Sequence, residues 1–228
     1  MNNGTDMKPL IVAIDGPSGA GKGTVARAVA AKLGYRHIDT GAMYRALAWK
    51  AVHEQLDLDD ERALGALALR AAIDVSDGAV VVDGHDVKQA IRTSEIDRAA
   101  AAVARQPQVR EALIRQQREM GAAGGVVMEG RDIGTVVFPL AGLKVYLDAS
   151  PEERARRRAT DPAHAAGRGQ AGVQEIASAL AERDKSDSTR AASPLTLAAD
   201  AVLIDTTGVP IDEVVDRVLA LVRQRSRE

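Results

Sequence analysis

Short apolar runs alternate along the chain with longer segments whose apolar residues recur at helical spacing. Four of these runs predict buried strands, at 10–15, 126–128, 143–147 and 201–204. The segments that predict helices are 24–33, 42–53, 60–71, 93–104, 108–120, 151–159, 173–185 and 211–225. Because buried strands separated by helices are typical of parallel sheets, the pattern predicts an α/β fold.

Two stretches depart from this alternation. Between 73 and 90 the residues alternate between apolar and polar, and Asp-Gly pairs at 77–78 and 83–84 are hairpin-turn signals. We therefore predict a small antiparallel insert there. The stretch 161–172 is rich in glycine and alanine and follows an arginine-dense helix, so we predict that it is a mobile loop.

Composition excludes several classes of protein. The 228 residues suit one domain, and with 27% charged residues and a net charge of -2 the chain lacks the basic excess of a nucleic-acid binder. The absence of cysteine excludes disulfides, cysteine-ligated zinc and thiol catalysis. No apolar run is long enough to cross a membrane, and the polar N-terminus is unlike a signal peptide, so we expect a cytoplasmic enzyme. The four histidines lack metal-ligand spacing and are expected to be ordinary.

The segment 16–24 reads GPSGAGKGT and carries the candidate chemistry. It matches the phosphate-binding loop G-x-x-x-x-G-K, and it lies between a predicted strand and a predicted helix, as that motif requires. Glycines let backbone N–H groups turn towards a phosphate, the helix N-terminus adds partial positive charge, and the lysine reaches the β- and γ-phosphates. The predicted ATP-binding residues are Gly16, Pro17, Ser18, Gly19, Ala20, Gly21, Lys22, Gly23 and Thr24.

The loop departs from the motif at one position. Gly23 stands where a serine or threonine hydroxyl usually binds Mg²⁺, which predicts that the metal is held largely through water. Glu129 follows the apolar run 126–128, where a carboxylate can orient Mg²⁺ or its waters. The alternative is that Glu129 is a strand-terminal carboxylate in solvent.

A phosphate-binding loop alone does not separate kinases from nucleotide-dependent switches and motors. A kinase must also hold a dianionic acceptor phosphate close to a triphosphate, and arginine forks suit that task. Arg45, Arg131 and Arg190 each lie in a polar motif at the end of an element. The alternative for any one of them is a solvated surface charge.

Four blocks of sequence identify a family resemblance. They are GKGT at 21–24, DTGAMYR at 39–45, EGRDIGTVVFP at 129–139 and ERDKSDSTR at 182–190. In order and spacing, from about residue 10 to residue 223, the chain resembles the bacterial cytidylate kinases. That resemblance implies a P-loop kinase fold with a five-stranded parallel sheet in a single domain at 9–228, behind a disordered tail at 1–8. It also implies a nucleotide-binding insert at about 60–105 and a lid at about 154–174.

The resemblance also implies roles for individual residues. The catalytic set would be Lys22, Arg131, Arg157 and Arg158, with Arg154 joining Arg157 and Arg158 at the ATP phosphates in a closed state. The residues that bind the acceptor nucleotide would be Thr40, Tyr44, Arg45, Arg110, Arg131, Asp132, Arg183, Asp187 and Arg190. Within that set, Arg45, Arg131 and Arg190 clamp the phosphate, Tyr44, Arg183 and Asp187 surround the sugar, and Arg110 and Asp132 meet the base. Ala101 aligns with a serine that contacts the base in relatives.

The implied reaction transfers phosphate from ATP to CMP or dCMP with Mg²⁺, a step of pyrimidine metabolism. It implies small-molecule substrates, no nucleic acid, no membrane and a monomer. Two alternatives stay open at this point: another small-molecule P-loop kinase with a different base pocket, and a nucleotide-dependent switch without transferase activity. A further alternative is that Asp132 merely caps the turn after Gly130.

Overall fold

A computed structural model describes residues 9–161 and 172–226 of the chain. The described elements alternate strands and helices, with a short π-helical turn at Ile133–Val137 between the sixth and seventh strands. In chain order they are β1 (Ile11–Asp15), α1 (Lys22–Leu33), β2 (Arg36–Asp39), α2 (Thr40–His53), α3 (Glu61–Arg70), β3 (Ile73–Asp74), β4 (Val81–Val82), β5 (His85–Asp86), α4 (Ser94–Val103), α5 (Pro107–Gly121), β6 (Val126–Gly130), β7 (Leu143–Asp148), α6 (Pro151–Thr160), α7 (Val173–Thr189), β8 (Val202–Asp205) and α8 (Ile211–Arg225).

The five-stranded parallel sheet predicted for this chain is present, with the strand order β2-β6-β1-β7-β8. Four of its strands coincide with the predicted apolar runs. The fifth, β2, was not among the strands predicted from the apolar runs, because its four residues RHID include two charged side chains and one imidazole. As an edge strand, β2 needs fewer apolar residues than a central strand does.

Helices cover both faces of the sheet, and the period of two along each strand assigns side chains to one face or the other. On one face, Val12, Ile14 and Val127 pack against α1 and α8 in one buried cluster. On the other, Ala13 and Met128 belong to a second cluster that includes apolar residues of α2, α3, α4 and α5. Lys22, the catalytic candidate in α1, therefore lies on the side of the first face.

The predicted antiparallel insert is also present, as a three-stranded sheet in the order β3-β4-β5. Both predicted Asp-Gly turns have left-handed backbone at their two residues, with φ of 51° and 83° at 77–78 and of 47° and 80° at 83–84. Such angles are those of tight hairpin turns, in which glycine at the second position avoids a steric penalty. The turn chemistry predicted from the sequence is thus confirmed.

Helices α6 and α7 pack on each other through a small cluster of their own, formed by Ala155, Ile176 and Leu180. Helix α7 ends four residues later than the predicted segment 173–185, so that residues of its last turn reach the site described below. The predicted tail at 1–8 and most of the predicted mobile loop at 161–172 lie outside the described residues. Among the helices that the structure describes, none could span a bilayer.

Candidate functional site

The carboxyl ends of the central parallel strands form one edge of the sheet, which is where α/β folds place their sites. The loop after β1 carries the glycine-rich motif, and Gly21 and Lys22 begin α1 as N-cap and first residue. Gly16 has φ of 145°, and a Cβ there would lie 2.0 Å from the carbonyl oxygen of Leu147. Only glycine fits this position. The predicted strand, loop and helix are all present and follow one another in the predicted order.

Lys22 is buried at the base of this loop. Its Nζ donates to the carbonyl oxygen of Pro17 at 2.7 Å. Burial, and after it the nearby charge of Arg131, lower the pKa of Lys22 to about 7, while Glu129 opposes the shift. A bound phosphate would add negative charge beside this lysine and so favour its charged form.

Two arginines of α6 lie next to the loop. The guanidinium of Arg154 donates to the carbonyl oxygen of Ser18 at 3.2 Å and pairs with Asp184 of α7. Arg157 donates to the Oγ1 and carbonyl oxygen of Thr206 at 2.9 and 2.6 Å, and its Nη1 is 3.6 Å from where a Cβ of Gly21 would lie. Arg154 therefore supports the loop from behind in this structure, whereas Arg157 lies beside it.

Arg158 points in another direction. Its Nη2 donates to Asp97 of α4 at 2.8 Å, and Arg183 of α7 lies 3.9 Å from the same carboxylate. The structure therefore places Arg158 against the helix that follows the antiparallel insert. Asp97 joins that helix to both α6 and α7, a connection that the sequence did not suggest.

The arginines expected to clamp an acceptor phosphate are each balanced by a carboxylate. Asp187 accepts from Nε of Arg131 at 2.9 Å and from Nη1 of Arg190 at 3.4 Å. Burial opposes the shift, but the charges of Arg131 and Arg183 hold the pKa of Asp187 below its ordinary value. On α2, Arg45 pairs with Asp39 at 3.3 Å. Surface exposure is excluded for Arg190, whose side chain is only 5% exposed.

The two residues expected to meet the base lie together in the interior. Nη2 of Arg110 donates to Asp132 at 2.5 Å, and Arg190 lies 3.8 Å from the other oxygen of that carboxylate. The Arg110 guanidinium also lies 5.4 Å from the ring centre of Tyr44, whose pKa burial raises to about 12. The Asp132 side chain makes no cap hydrogen bond to the π-helical turn, so the alternative of a mere capping residue is excluded.

Two further predicted residues have settings that the sequence did not reveal. The hydroxyl of Thr40 donates to the carbonyl oxygen of Glu129 at 2.7 Å, so it joins α2 to β6. Ala101 lines a cleft between α4 and α7 together with Asp97 and Arg183. That cleft does not include Arg110 or Asp132.

Glu129 lies within β6, not after it, and is only 6% exposed. This burial rules out the alternative of a carboxylate in solvent. Its Oε1 is 2.9 Å from Nε2 of His37 in the neighbouring strand, and a Cβ at Gly23 would lie 3.1 Å from the same oxygen. His37 was expected to be ordinary, and 92 residues separate it from Glu129, so no local pattern could have revealed the contact.

Asp15 is a second residue that the sequence reasoning missed. It ends β1 and accepts hydrogen bonds from the backbone N–H groups of Ile133 and Gly134 at 2.9 and 2.7 Å. Burial raises the pKa of Asp15 to about 6, against the lowering effect of those two bonds. Asp15 thereby fixes the turn that directly follows Arg131 and Asp132. The available signal was a carboxylate at the end of an otherwise apolar run.

Comparison with known proteins gives consistent matches along the whole chain. The family model described as cytidylate kinase matches residues 12–224. A cytidylate kinase of Solibacter usitatus (strain Ellin6076) is 46% identical over 221 residues, which cover 97% of this chain and 95% of that protein. A cytidylate kinase of Pelotomaculum thermopropionicum is 48% identical over 223 residues, covering 95% and 97%. A solved structure of an uncharacterized protein from Eubacterium ventriosum is similar in fold alone, with 11% identity, a TM-score of 0.50 and coverage of 94% and 98%.

The Asp15 contacts generate a prediction. In Asp15→Asn, an amide NH₂ must face a backbone N–H, which leaves a buried donor unsatisfied at a cost of about 1–3 kcal/mol. Urea titration should show that loss of unfolding free energy, and the amides of Ile133 and Gly134 should exchange faster with solvent. Asp205→Asn is the matched control, since Asp205 also ends a parallel strand but is exposed. Equal stability of the two variants would contradict the role given to Asp15.

Proposed function

The chain belongs to the cytidylate kinase family, and we propose that the site described above transfers the γ-phosphoryl group of ATP to CMP or dCMP. It is a phosphotransferase, with ADP and CDP or dCDP as the products. In the transfer, an oxygen of the acceptor phosphate forms a bond to the γ-phosphorus, and the bond from that phosphorus to the β–γ bridging oxygen breaks. The residue roles given below are proposals.

The observation that carries the proposal is the meeting of two sets of cations. The phosphate-binding loop supplies Lys22, whose pKa is lowered first by burial and then by the nearby charges of Arg131 and Arg183. The first set serves the donor phosphates, and the second set, Arg45, Arg131 and Arg190, is proposed to serve the acceptor phosphate. A site that binds only one nucleotide phosphate chain has no need of the second set. Two dianionic phosphates brought together would repel each other strongly in a buried site, and these cations offset that repulsion.

No protein nucleophile is required, because the acceptor phosphate itself attacks. In our proposal, Lys22 follows the negative charge on the transferred group, and Arg131 bridges donor and acceptor while Arg45 and Arg190 hold the acceptor phosphate. Planar guanidinium forks fix both position and orientation, which lowers the entropic part of the barrier. Arg157, beside Gly21, is the α6 arginine best placed to reach the donor phosphates.

The residues present fit magnesium bound with the nucleotide. Within 9–161 and 172–226 there is no cluster of three or more acidic, histidine or cysteine residues that could hold a metal. Mg²⁺ commonly uses one or two carboxylates together with waters and phosphate oxygens, so Glu129 beside Gly23 suffices. When bound, Mg²⁺ would neutralise charge on the donor phosphates, and Glu129 would hold the ion or its waters.

The Arg110–Asp132 pair is proposed to select cytosine. Cytosine presents an amino donor at N4 and an acceptor at N3, which match an acceptor-only carboxylate and a donor-only guanidinium. Uracil reverses both groups and would leave buried polar atoms mismatched. Since both side chains are buried before any base arrives, each is already held in position by the other.

The insert at about 60–105 and the segment at about 154–174 are proposed to move on binding. The separate cluster of Ala155, Ile176 and Leu180 supports this, because α6 and α7 can shift without opening the two main clusters. Closure would expel water from the transfer step.

We propose that the enzyme works as a monomer. A switch without transferase activity would not need an acceptor clamp of Arg45, Arg131 and Arg190.

Removing the loop lysine tests the donor site. Lys22→Ala should retain the fold and lower turnover by on the order of 10²–10³, because one preorganised cation at the developing charge is lost. Lys32→Ala, on the same helix but half-exposed, is the control and should keep wild-type turnover. A folded Lys22→Ala enzyme within about threefold of wild type would exclude this donor site.

The acceptor clamp is tested by keeping charge while removing the fork. Arg45→Lys, Arg131→Lys and Arg190→Lys should each weaken CMP binding while changing ATP affinity little, since lysine is a point charge. Separate titrations of ATP and CMP measure this, with the exposed Arg156→Lys as control. If both nucleotides weaken equally, or neither does, these arginines are not an acceptor clamp.

Base selection is tested at Asp132. UMP should be the poorer substrate by roughly 10- to 200-fold, the size of one buried polar mismatch. Asp132→Asn should lower kcat/KM for CMP and narrow the CMP/UMP ratio, because an amide can donate to uracil O4. Measuring kcat/KM for both substrates on both proteins gives the ratio. An unchanged ratio would locate base selection elsewhere.

A further inference from the structure

The register of the sheet places His37 and Glu129 on one face. His37 is paired with Val127 and Asp39 with Glu129 in parallel strands, and paired residues of such strands point the same way. Val127 packs in the cluster that contains α1. The imidazole and the carboxylate therefore both lie on the face that α1 covers, and the carboxylate lies beside Gly23 in the first turn of that helix.

Gly23 leaves room for this carboxylate. A Cβ at Gly23 would lie 3.1 Å and 3.4 Å from the two oxygens of Glu129, which is tighter than ordinary packing. The motif usually has a hydroxyl side chain there as a ligand for Mg²⁺. The one departure of this sequence from the motif, the missing hydroxyl at Gly23, thus lies next to the Glu129 carboxylate in space.

His37 is the hydrogen-bond partner that the structure gives this buried carboxylate. Nε2 lies 2.9 Å from Oε1. Because an ionised carboxylate can only accept, the tautomer that fits this contact with an ionised Glu129 carries its hydrogen on Nε2. Nδ1 is buried with no hydrogen-bond partner among the described residues. A histidine that served packing alone would lose free energy by burying two polar nitrogens. An apolar side chain would fill the same space without that desolvation cost.

The antiparallel insert holds the backbone of His37. Its N–H donates to Oδ1 of Asp77 at 3.1 Å, and its carbonyl oxygen accepts from the N–H of Asp77 at 3.0 Å. An isolated bridge between Ile38 and Ser76 continues this contact. Since Asp77 belongs to the first hairpin turn of the insert, His37 is anchored on both strand and insert.

We propose that His37 is a positioning residue that holds Glu129 over Gly23, so that this carboxylate takes the place of the motif's absent hydroxyl towards the nucleotide-bound metal. The proposal rests on the proposed function, because it assumes that a divalent cation arrives with ATP. It assigns His37 no contact with substrate. Its effect passes through the Glu129 carboxylate, as partners of metal ligands commonly act.

The test compares His37→Leu with His37→Gln. Leucine fills similar space without a donor, whereas a glutamine amide can present an N–H where Nε2–H lies. Electron paramagnetic resonance of Mn²⁺, titrated into enzyme with a non-hydrolysable ATP analogue, measures the metal affinity. We expect about 10- to 100-fold weaker Mn²⁺ binding in His37→Leu. His37→Gln should stay within about threefold of wild type, and the affinity for the analogue without metal should be unchanged in both.

Unfolding curves without ligands separate positioning from folding. Should His37→Leu fail to fold, His37→Asn gives the same comparison, because its amide is too short to reach Glu129, and the same weakening is expected. In a Glu129→Asp background, removal of the imidazole should add nothing, since the shorter carboxylate no longer reaches Nε2. Wild-type Mn²⁺ affinity in a folded His37→Leu or His37→Asn protein overturns the inference. A wild-type enzyme that binds the analogue without any response to Mn²⁺ contradicts the proposed function instead.

Discussion

Repulsion between cations buried at one edge of the sheet is the constraint on which the rest of the site depends. Burial and the nearby charges of Arg131 and Arg183 together lower the pKa of Lys22 to about 7. Carboxylates of the chain compensate the other charges: Asp187 pairs with Arg131, and Asp97 with Arg183. Phosphate groups can replace these carboxylates when they bind, so the site is built for ligands that carry the opposite charge.

Buried and half-buried carboxylates also join parts of the fold that the main hydrophobic clusters leave separate. Asp97 connects the helix after the antiparallel insert to α6 and α7, and Asp184 connects α7 to the phosphate-binding loop through Arg154 and Ser18. Each contact is an ion pair or a hydrogen bond to a charged group, which a bound phosphate can weaken by competing for the arginine. We propose that substrate binding and movement of these helices are coupled through these shared side chains.

Short sequence patterns predicted the features of the fold that depend on interactions between neighbouring residues. The phosphate-binding loop, its flanking strand and helix, and the two Asp-Gly turns each follow from a few neighbouring residues. The contacts of Asp15 with Ile133 and of His37 with Glu129 span 118 and 92 residues, so no periodicity could indicate them. Helix α7 was predicted too short because SDST at 186–189 has low helix propensity, and ion pairs of Asp187 stabilise the last turn regardless.

ADP formation from ATP and Mg²⁺ with CMP, dCMP, UMP, AMP or no acceptor tests the proposed activity most directly. We expect rapid ADP formation with CMP and dCMP, much slower formation with UMP and AMP, and little without an acceptor. This result would mean that one set of cations serves the donor ATP and the other serves the acceptor monophosphate. Equal ADP release with and without a monophosphate would contradict it, because the second set would then have no acceptor to hold.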